Sequence, residues 1–228
     1  MRTELTRLPE KGVTDRGVLH ALLDEALVAH VGLVAEGQPV VIPTAMARDG
    51  DHLLIHGSTG SRWMRALAAG APASVAVTAL DGLVVARSAF ESSVHYRSAV
   101  LFGRFHPVVG TEKAAALTLL TDALIPGRSR EVRESTAKEL AATLVLALPI
   151  ERWSLKVSDG WPEDEEDDVA GPAWAGVVPI RRVYEAPEPA PDLGPGRPVP
   201  ASVRALTGGG ATNPATAPVG TGYSRAGE

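Results

Sequence analysis

Residues 40–64 read VVIPTAMARDGDHLLIHGSTGSRWM, and this stretch decides the fold. Two short apolar runs rich in β-branched residues, 40–46 and 52–56, flank the pair Asp49-Gly50. Because Asp-Gly between such runs is the strongest short-range signal for a β-hairpin, the stretch predicts two antiparallel strands joined by a tight turn. The second strand then leads into a loop of small polar residues, 57–61, and into the start of a helix.

The loop Gly57-Ser58-Thr59-Gly60-Ser61 has a chemical use at the start of that helix. Ser61 is placed to cap the helix, whose first backbone N–H groups lack intrahelical partners. The helix dipole favours an anion at this end, and Arg62 supplies a forked donor that suits phosphate. The local chemistry therefore leaves two interpretations open, a simple helix cap and a phosphate site.

The remaining sequence predicts more antiparallel strands, with helices at the start and between the later strands. Helical spacing of apolar residues predicts a first helix from Thr14 or Asp15 to about Ala29. A second hairpin is expected around the turn Asp81-Gly82, and a capping box over 136–139 opens a short helix. The other expected elements are strands over 30–35, 73–79, 83–90 and 94–105, a helix over 111–124, and a closing strand pair over 143–148 and 153–157. About seven strands of this kind predict a mainly β (α+β) fold, an antiparallel barrel with appended helices.

The composition changes at residue 186. From there to the end, 8 prolines and 8 glycines fall within 43 residues, and apolar residues show almost no periodicity. Such a composition is typical of disordered chain. The sequence therefore predicts one domain over 1–185 and a Pro/Gly-rich disordered tail over 186–228.

The composition also excludes several classes of function. The chain has 228 residues and a net charge of −5, and an unbroken run of six acids over 163–168 accounts for all of it, since 22 basic and 21 acidic residues remain elsewhere. No basic face suited to nucleic acid is evident in the rest. The absence of cysteine excludes disulfides, thiolate catalysis and iron–sulfur clusters. The acidic run is expected to be a solvated loop, because Ca²⁺ loops separate their ligands with glycine and polar residues.

Neither a membrane segment nor a metal site is predicted. The N-terminus carries Glu4 and no apolar signal region, and the longest apolar run, 144–150, is too short to span a bilayer. A soluble cytoplasmic protein with no membrane partner is therefore expected. His52 and His56 are four residues apart, which along a strand is about 13 Å and too far for a shared metal ion.

Several segments together resemble one known family. Besides the loop and Ser61-Arg62, they are residues 80–90, Tyr96-Arg97-Ser98, Pro126-Gly127-Arg128 and 174–179. Over roughly residues 5–185 the chain resembles the pyridoxamine 5′-phosphate oxidase-like, split-barrel flavoproteins. Within them it is similar to the flavin-nucleotide-binding branch that includes nitroimidazole-resistance reductases.

The resemblance implies an antiparallel split β-barrel that forms a homodimer, with FMN held between the two subunits and a small molecule as substrate. It implies cofactor-binding roles for eleven residues and assigns no catalytic residue. Ser61 and Arg62 would hold the phosphate, with hydroxyls from Ser58 and Thr59. The others are Pro43, Thr44 and Ala45 along the flavin ring, His56 beside the ribityl chain or phosphate, and Tyr96, Arg97 and Ser98 from a further strand, in the same chain or across the dimer. His95 stands where an amide residue is expected before Tyr96.

Three functions remain open from the sequence. The first is a flavin oxidoreductase that passes electrons or hydride between a reduced nicotinamide, or the deazaflavin F420, and a small organic acceptor or oxygen. The second is a non-catalytic flavin- or haem-binding protein for storage, sensing or transfer, with His56 or His95 as the iron ligand. The third is a dimeric scaffold without a bound chromophore. Oxidation of pyridoxamine phosphate itself is disfavoured, because no second basic cluster lies near the C-terminus.

Overall fold

The structure of this chain is a computed structural model, and it describes residues 8–208. Within these residues the strands are β1 (Val28–Ala35), β2 (Gln38–Asp49), β3 (His52–Ser58), β4 (Pro72–Val85), β5 (Ser93–Arg104), β6 (His106–Pro107), β7 (Thr143–Pro149), β8 (Arg152–Ser158) and β9 (Gly176–Pro179). The α-helices are α1 (Arg16–Glu25), α2 (Arg62–Ala68), α3 (Gly110–Leu124), α4 (Ala137–Ala142), α5 (Glu166–Val169) and α6 (Ala201–Thr207). Short 3₁₀ helices cover Pro9–Lys11 and Arg128–Arg130.

The strands form a single antiparallel sheet in the order β6-β7-β3-β2-β1-β4-β5-β8, with β9 added to the free edge of β4. The hairpin predicted at Asp49-Gly50 is confirmed, because Asp49 pairs with His52 across it and Gly50 has a positive φ of 54°. This sheet with its attached helices is the antiparallel split barrel that the sequence predicted. Residues 8–208 contain nine strands rather than about seven, since β6 and β9 have only two and four residues and carry little pattern.

The sheet curls until strands from its two sides approach each other. Residues 143–148 and 153–157 were predicted to pair as a closing hairpin, and this prediction is wrong. β7 pairs with β3 and β6, whereas β8 pairs with β5 at the far side of the sheet. Only two residues connect them, so the sheet must bend to bring these strands together. Gly103 of β5 shows this approach, because a Cβ atom there would lie 2.9 Å from Cδ1 of Leu148 in β7.

The inner face of the curled sheet carries the main hydrophobic core. Helix α1 contributes Leu19, Leu22 and Leu23, all fully or almost fully buried. Asp15 caps this helix by accepting a hydrogen bond from the Gly17 N–H at 2.6 Å. The helix ends at Glu25 rather than near residue 29, because Val28 and Ala29 already belong to β1 and Ala29 packs into the core.

The outer face is covered by α3 only in part. Ala116 and Leu120 of α3 pack on Ala47, Leu54 and Val145 in a second, smaller core. Farther along the sheet the face is open, and we call this part the bare face. Its residues on β1 and β2 are Val28, His30, Val34, Val41 and Pro43, of which Val34 and Val41 are 65% and 64% exposed.

The turn predicted at Asp81-Gly82 does not exist, because β4 runs without interruption from Pro72 to Val85. Instead, the register against β5 shifts between Leu80 and Gly82, which is a β-bulge. A side chain at position 82 would be crowded by β9, because a Cβ atom would come within 3.1 Å of the Val178 carbonyl oxygen. Asp-Gly suits a bulge as well as a turn, so the local sequence did not distinguish the two.

Two segments outside the barrel strands contain more structure than their composition indicated. In the acidic run, Asp164 has a side chain only 1% exposed and accepts hydrogen bonds from Arg87, so the run is not simply a solvated loop. In the segment predicted as a tail, α6 docks on the body: the N–H and hydroxyl of Ser202 both donate to the carboxylate of Glu131. The boundary between domain and tail stays a prediction, and residues 209–228 lie outside the described part.

An ion-pair network joins α1, the β4 bulge and β5. Arg97 donates two hydrogen bonds to Asp81, at 2.8 and 2.9 Å, and one to Glu25 at 2.8 Å. The pKa of Arg97 is raised, mainly by its hydrogen bonds to Asp81 and then by its hydrogen bond to Glu25. Because the side chains of Arg97 and Glu25 are 18% and 14% exposed, each needs the other for compensation.

We expect Arg97→Ala to lower the free energy of unfolding by about 2 kcal/mol, since it leaves the Glu25 carboxylate nearly buried and unpaired. Arg97→Lys keeps the charge but loses the forked geometry, so its loss should be smaller. Urea unfolding of the two variants and the original chain measures both effects. Equal stability of all three proteins would contradict a structural role for Arg97.

Candidate functional site

The loop over 57–61 is held at a defined position between β3 and α2. The backbone N–H of Thr59 donates to the carbonyl oxygen of Ala142 at 3.0 Å, and its hydroxyl reaches the same oxygen at 3.3 Å. Within the loop, the N–H of Ser61 donates to the Ser58 carbonyl at 3.0 Å, and the N–H of Gly60 donates to the Ser58 hydroxyl oxygen at 3.1 Å. The end of α4 therefore fixes the loop, which no signal in the loop's own sequence indicated.

Ser61 and Arg62 begin α2 and keep donors available. Ser61 occupies the N-cap position, but its side chain makes no capping hydrogen bond, so the predicted side-chain cap is absent. The Arg62 side chain is 83% exposed, and its ion pair with Glu36 is a loose contact of 3.4 Å between two exposed groups. Such a surface ion pair contributes little to stability, so Arg62 can leave it for a ligand. The side chains of Ser61 and Arg62 are therefore both available for binding.

His56 lies at the end of β3, directly before the loop. It pairs with Val145 of β7, and on its other side it follows the last pair of the β2–β3 ladder, Met46 with Ile55. Its Nδ1 atom is buried and has no hydrogen-bond partner among the described residues. Because an unpaired buried polar atom is unfavourable by about 1–3 kcal/mol, it marks a place where a ligand group would be stabilising.

Three predicted ring-side residues lie next to the loop on β2, but they are not equivalent. Pro43 and Ala45 pair with His30 and Val28 of β1 and therefore share the outer face with them. Thr44 belongs to the opposite face, and its hydroxyl makes only a 3.4 Å contact with the carbonyl of Ala45. The outer surface beside the loop is thus formed by Pro43, Ala45 and His56. Thr44 contributes only backbone groups to it, because its side chain belongs to the opposite face.

Tyr96, Arg97 and Ser98 lie far from that surface within the same chain. Ser98 shares the outer face with Ala45, but β1 and β4 stand between them, so three strand spacings separate the two residues by about 14 Å. Tyr96 lies on the same face as Ser98, and Arg97 points to the other face into its ion-pair network. Sequence reasoning missed Thr78, whose hydroxyl lies 3.2 Å from that of Ser98, because only strand pairing brings it there.

A cavity of about 360 Å³ opens elsewhere, between α1, β2 and α3. Its charged lining groups already have partners: Asp24 accepts from Arg48 at 2.6 and 2.7 Å, and Asp122 accepts from Ser129. These hydrogen bonds raise the pKa of Arg48 and lower that of Asp122. The cavity therefore offers no free charge to a ligand, and we place the candidate site at the loop.

Between residues 8 and 208, no group of three or more histidine, aspartate or glutamate side chains is arranged to hold a metal ion. In the same residues, none of the helices has the length and apolar character needed to cross a membrane.

The comparisons with known proteins identify relatives along most of the chain. The family model described as pyridoxamine 5′-phosphate oxidase matches residues 15–157. The structure of the FAD and haem binding protein from Mycobacterium smegmatis is 57% identical, with a TM-score of 0.84, and the match covers 86% of this chain and 97% of that chain. The flavocytochrome Anf3 from Azotobacter vinelandii is 39% identical, also with a TM-score of 0.84, over 90% of this chain and 96% of that chain.

A more distant structure shares the fold alone. It is a putative 5-nitroimidazole antibiotic resistance protein from Bacteroides thetaiotaomicron, which is 18% identical with a TM-score of 0.55. That match covers 64% of this chain and 86% of the other. Among curated proteins, none matches this chain.

The capping box that opens α4 should make the loop sensitive to acid. Hydrogen bonds from Arg133, and then from the backbone N–H of Thr136, lower the pKa of Glu139 to about 2 from its ordinary value of 4.5. A depressed carboxylate pKa stabilises the folded state above pH 4.5, and this contribution is lost as the pH falls towards 2.

We expect Glu139→Gln to remove that part of the acid dependence and to loosen the contact between Thr59 and Ala142. Urea midpoints between pH 5 and pH 2, together with hydrogen exchange at the Thr59 amide, measure the two effects. Glu134→Gln, which changes a neighbouring exposed acid outside the box, is the matched control. An unchanged acid profile in Glu139→Gln would show that the box does not carry this dependence.

Proposed function

The chain belongs to the pyridoxamine 5′-phosphate oxidase family, and on that basis we propose that it is an oxidoreductase that binds a flavin nucleotide and haem. The observation that carries this proposal is the relative from M. smegmatis, which is named as an FAD and haem binding protein and is 57% identical over 86% of this chain. The flavocytochrome relative supports the same pairing of cofactors. The name of the M. smegmatis relative favours FAD, whereas the sequence led us to expect FMN. Both flavins carry a phosphate next to the ribityl chain.

The flavin phosphate would be held by the loop and the first residues of α2. Ser58 accepts the Gly60 N–H through its oxygen and keeps its own hydrogen for a ligand. Ser61 has an uncommitted hydroxyl, and Arg62 can donate from two nitrogens to one phosphate. Thr59 contributes less, because its hydroxyl is already directed to Ala142. Since α2 has only seven residues, these side-chain donors carry the proposal more than the helix dipole does.

The rest of the flavin would lie along Pro43, Thr44, Ala45 and His56. Because the pairing of β2 with β3 ends at Met46 and Ile55, peptide groups of residues 43–45 on that side would be available to the polar edge of a flavin ring. The unpartnered Nδ1 of His56 fits a polar group of the ligand, which would relieve its desolvation. The residues present therefore fit a flavin nucleotide in composition and placement.

A second copy of this chain would complete the site. Tyr96 and Ser98 lie about 14 Å or more from Ala45 in one protomer, and the β5 of a partner would bring such residues closer to the same flavin. The bare face supports this arrangement, because exposed valines at 28, 34 and 41 form an apolar surface of the kind that marks an interface. Arg97 would act by holding this strand in place rather than by touching the cofactor.

A flavin accepts two electrons as hydride and releases them singly or in pairs, while haem exchanges one electron at a time. We infer that the chain takes electrons from a reduced nicotinamide and delivers them to a small organic acceptor or oxygen. Its own residues would bind and orient the cofactors and keep water from the covered face. No residue of this chain is assigned a covalent role, which fits the absence of cysteine from the sequence.

The described histidines differ in what they can offer a haem iron. The Nε2 of His95 donates to the carbonyl oxygen of Gly160 at 2.8 Å, which leaves its Nδ1 as the nitrogen that could bind iron. His56 lies at the flavin loop. His30 is exposed in the middle of the bare face, between Pro43 and Ala76 on the neighbouring strands, where an apolar macrocycle can lie flat. We therefore favour His30 as the iron ligand.

We expect the purified protein to release FAD or FMN on heating, identified by mass. Ser61→Ala combined with Arg62→Ala should weaken flavin binding roughly tenfold to a hundredfold, because charge-assisted hydrogen bonds contribute about 1.5–3 kcal/mol. Arg65→Ala, which removes an exposed arginine one turn later in α2, should leave the affinity unchanged. Flavin titration followed by fluorescence quenching gives the three affinities.

Equal affinities for the double variant and Arg65→Ala would show that the loop does not hold the phosphate. A protein that is colourless and binds neither added flavin nor haem would refute the proposed function and leave a dimeric scaffold.

The haem prediction has its own test. His30→Ala should lose the intense Soret band or change its position while the weaker flavin bands remain. His52→Ala and His95→Ala should keep the Soret band of the original chain. If His30→Ala binds haem with an unaltered spectrum, the assignment of the ligand is wrong; if the original chain binds flavin but never haem, the haem part of the proposal is wrong.

A further inference from the structure

Gly57 lies against Met64 at the point where β3 enters the loop. A Cβ atom at position 57 would lie 2.9 Å from Cγ of Met64, 3.3 Å from its Sδ and 3.4 Å from its Cε. Carbon atoms pack best at about 3.5–4.0 Å, so the two segments approach each other more closely than a side chain at position 57 would allow. Met64 itself is fully buried in the main core.

The backbone at Gly57 gives no reason for a glycine. The φ of Gly57 is not positive, and the residue belongs to β3, where it pairs with Leu144 of β7. Alanine adopts a strand conformation readily, and it loses less conformational freedom on folding than glycine does. The close approach of Met64 is therefore the feature that requires the missing side chain.

This contact joins the two halves of the proposed phosphate site. On one side, Ser58 directly follows Gly57 in the chain. On the other side, Ser61 and Arg62 belong to the same N-terminal turn of α2 as Met64. The distance between Gly57 and Met64 therefore determines how far the Ser58 hydroxyl lies from the donors of α2. Because hydrogen bonds weaken steeply away from their preferred geometry, this spacing decides whether the donors converge on one phosphate.

We propose that Gly57 is a positioning residue for the flavin phosphate, and that its contact with Met64 sets the spacing of the donors on the two sides of the loop. This inference rests on the flavin site proposed above. The Met64 side chain has no free space to move into, because protein cores are close-packed, and β3 is held by its pairing with β7. A side chain at position 57 would therefore displace the loop, which is the segment between the two crowded residues.

Alanine substitutions at two glycines test the proposal on the full chain. Gly57→Ala should weaken binding of FMN and of FAD at least tenfold, measured by fluorescence quenching with protein freed of bound flavin. Gly103→Ala is the matched control, because its Cβ atom would also meet a buried side chain at 2.9 Å, that of Leu148 at the end of β7 away from the loop. This control should lower the urea midpoint but leave both flavin affinities within twofold.

A further substitution tests the contact itself. The three atoms nearest to the added Cβ all belong to Met64, so Met64→Ala removes them. In that background, adding Gly57→Ala should change the flavin affinity by less than threefold. Circular dichroism checks that the variants fold, and the comparison with Gly103→Ala does not require the Met64 variants.

Three results would overturn the inference and leave the proposed function intact. They are an unchanged flavin affinity in Gly57→Ala, an equal loss of affinity in Gly103→Ala, and a loss that persists in full after Met64→Ala. If the original chain binds neither flavin, the proposed function fails, and hydrogen exchange at the Thr59 amide then shows whether Gly57 positions the loop. Faster exchange in Gly57→Ala than in Gly103→Ala supports that role, and equal rates overturn it.

Discussion

The register of β2 against its two neighbours is the constraint on which the other features depend. Alternating residues of this strand serve different purposes: Met46 is in the main core, Ala47 lies under α3, and Pro43 and Ala45 face outward beside the loop. A slip by one residue would exchange the faces, burying the outward residues and exposing Met46. Burial of the core therefore also determines which residues are available to a ligand.

Curling of the sheet explains why the candidate site is incomplete in one chain. The inner face closes on α1, and the strands on the two sides approach at Gly103 and Leu148. The outer face is therefore convex, and Ala45 and Ser98 lie on separate strands of it. A ligand large enough to span them would need a second surface against it. The cofactor and the homodimer are consequently one proposal about how this open face is covered.

Charged groups in this chain mostly organise structure. Arg97 belongs to a motif that resembled a cofactor segment, yet its guanidinium binds Asp81 and Glu25. Asp164 lies in an acidic run yet is buried with Arg87, and Asp24 in the cavity is paired with Arg48. Around the loop, donors remain available to a ligand at Ser58, Ser61 and Arg62, together with the unpaired nitrogen of His56.

The sequence by itself determined the local features, in which the interacting residues lie within a few positions of each other. Local hydrogen bonds and backbone preferences produce the hairpin at Asp49-Gly50, the helix cap by Asp15, and the capping box of Thr136 and Glu139. The family motif around the loop could be recognised for the same reason, because its residues are consecutive. Only the tertiary structure decided that Asp81 sits in a bulge, that β7 and β8 pair elsewhere, and that Ser98 is remote from Ala45. These outcomes depend on which distant strands hydrogen-bond to each other, and that choice is made by burial of the whole sheet rather than by any short stretch of residues.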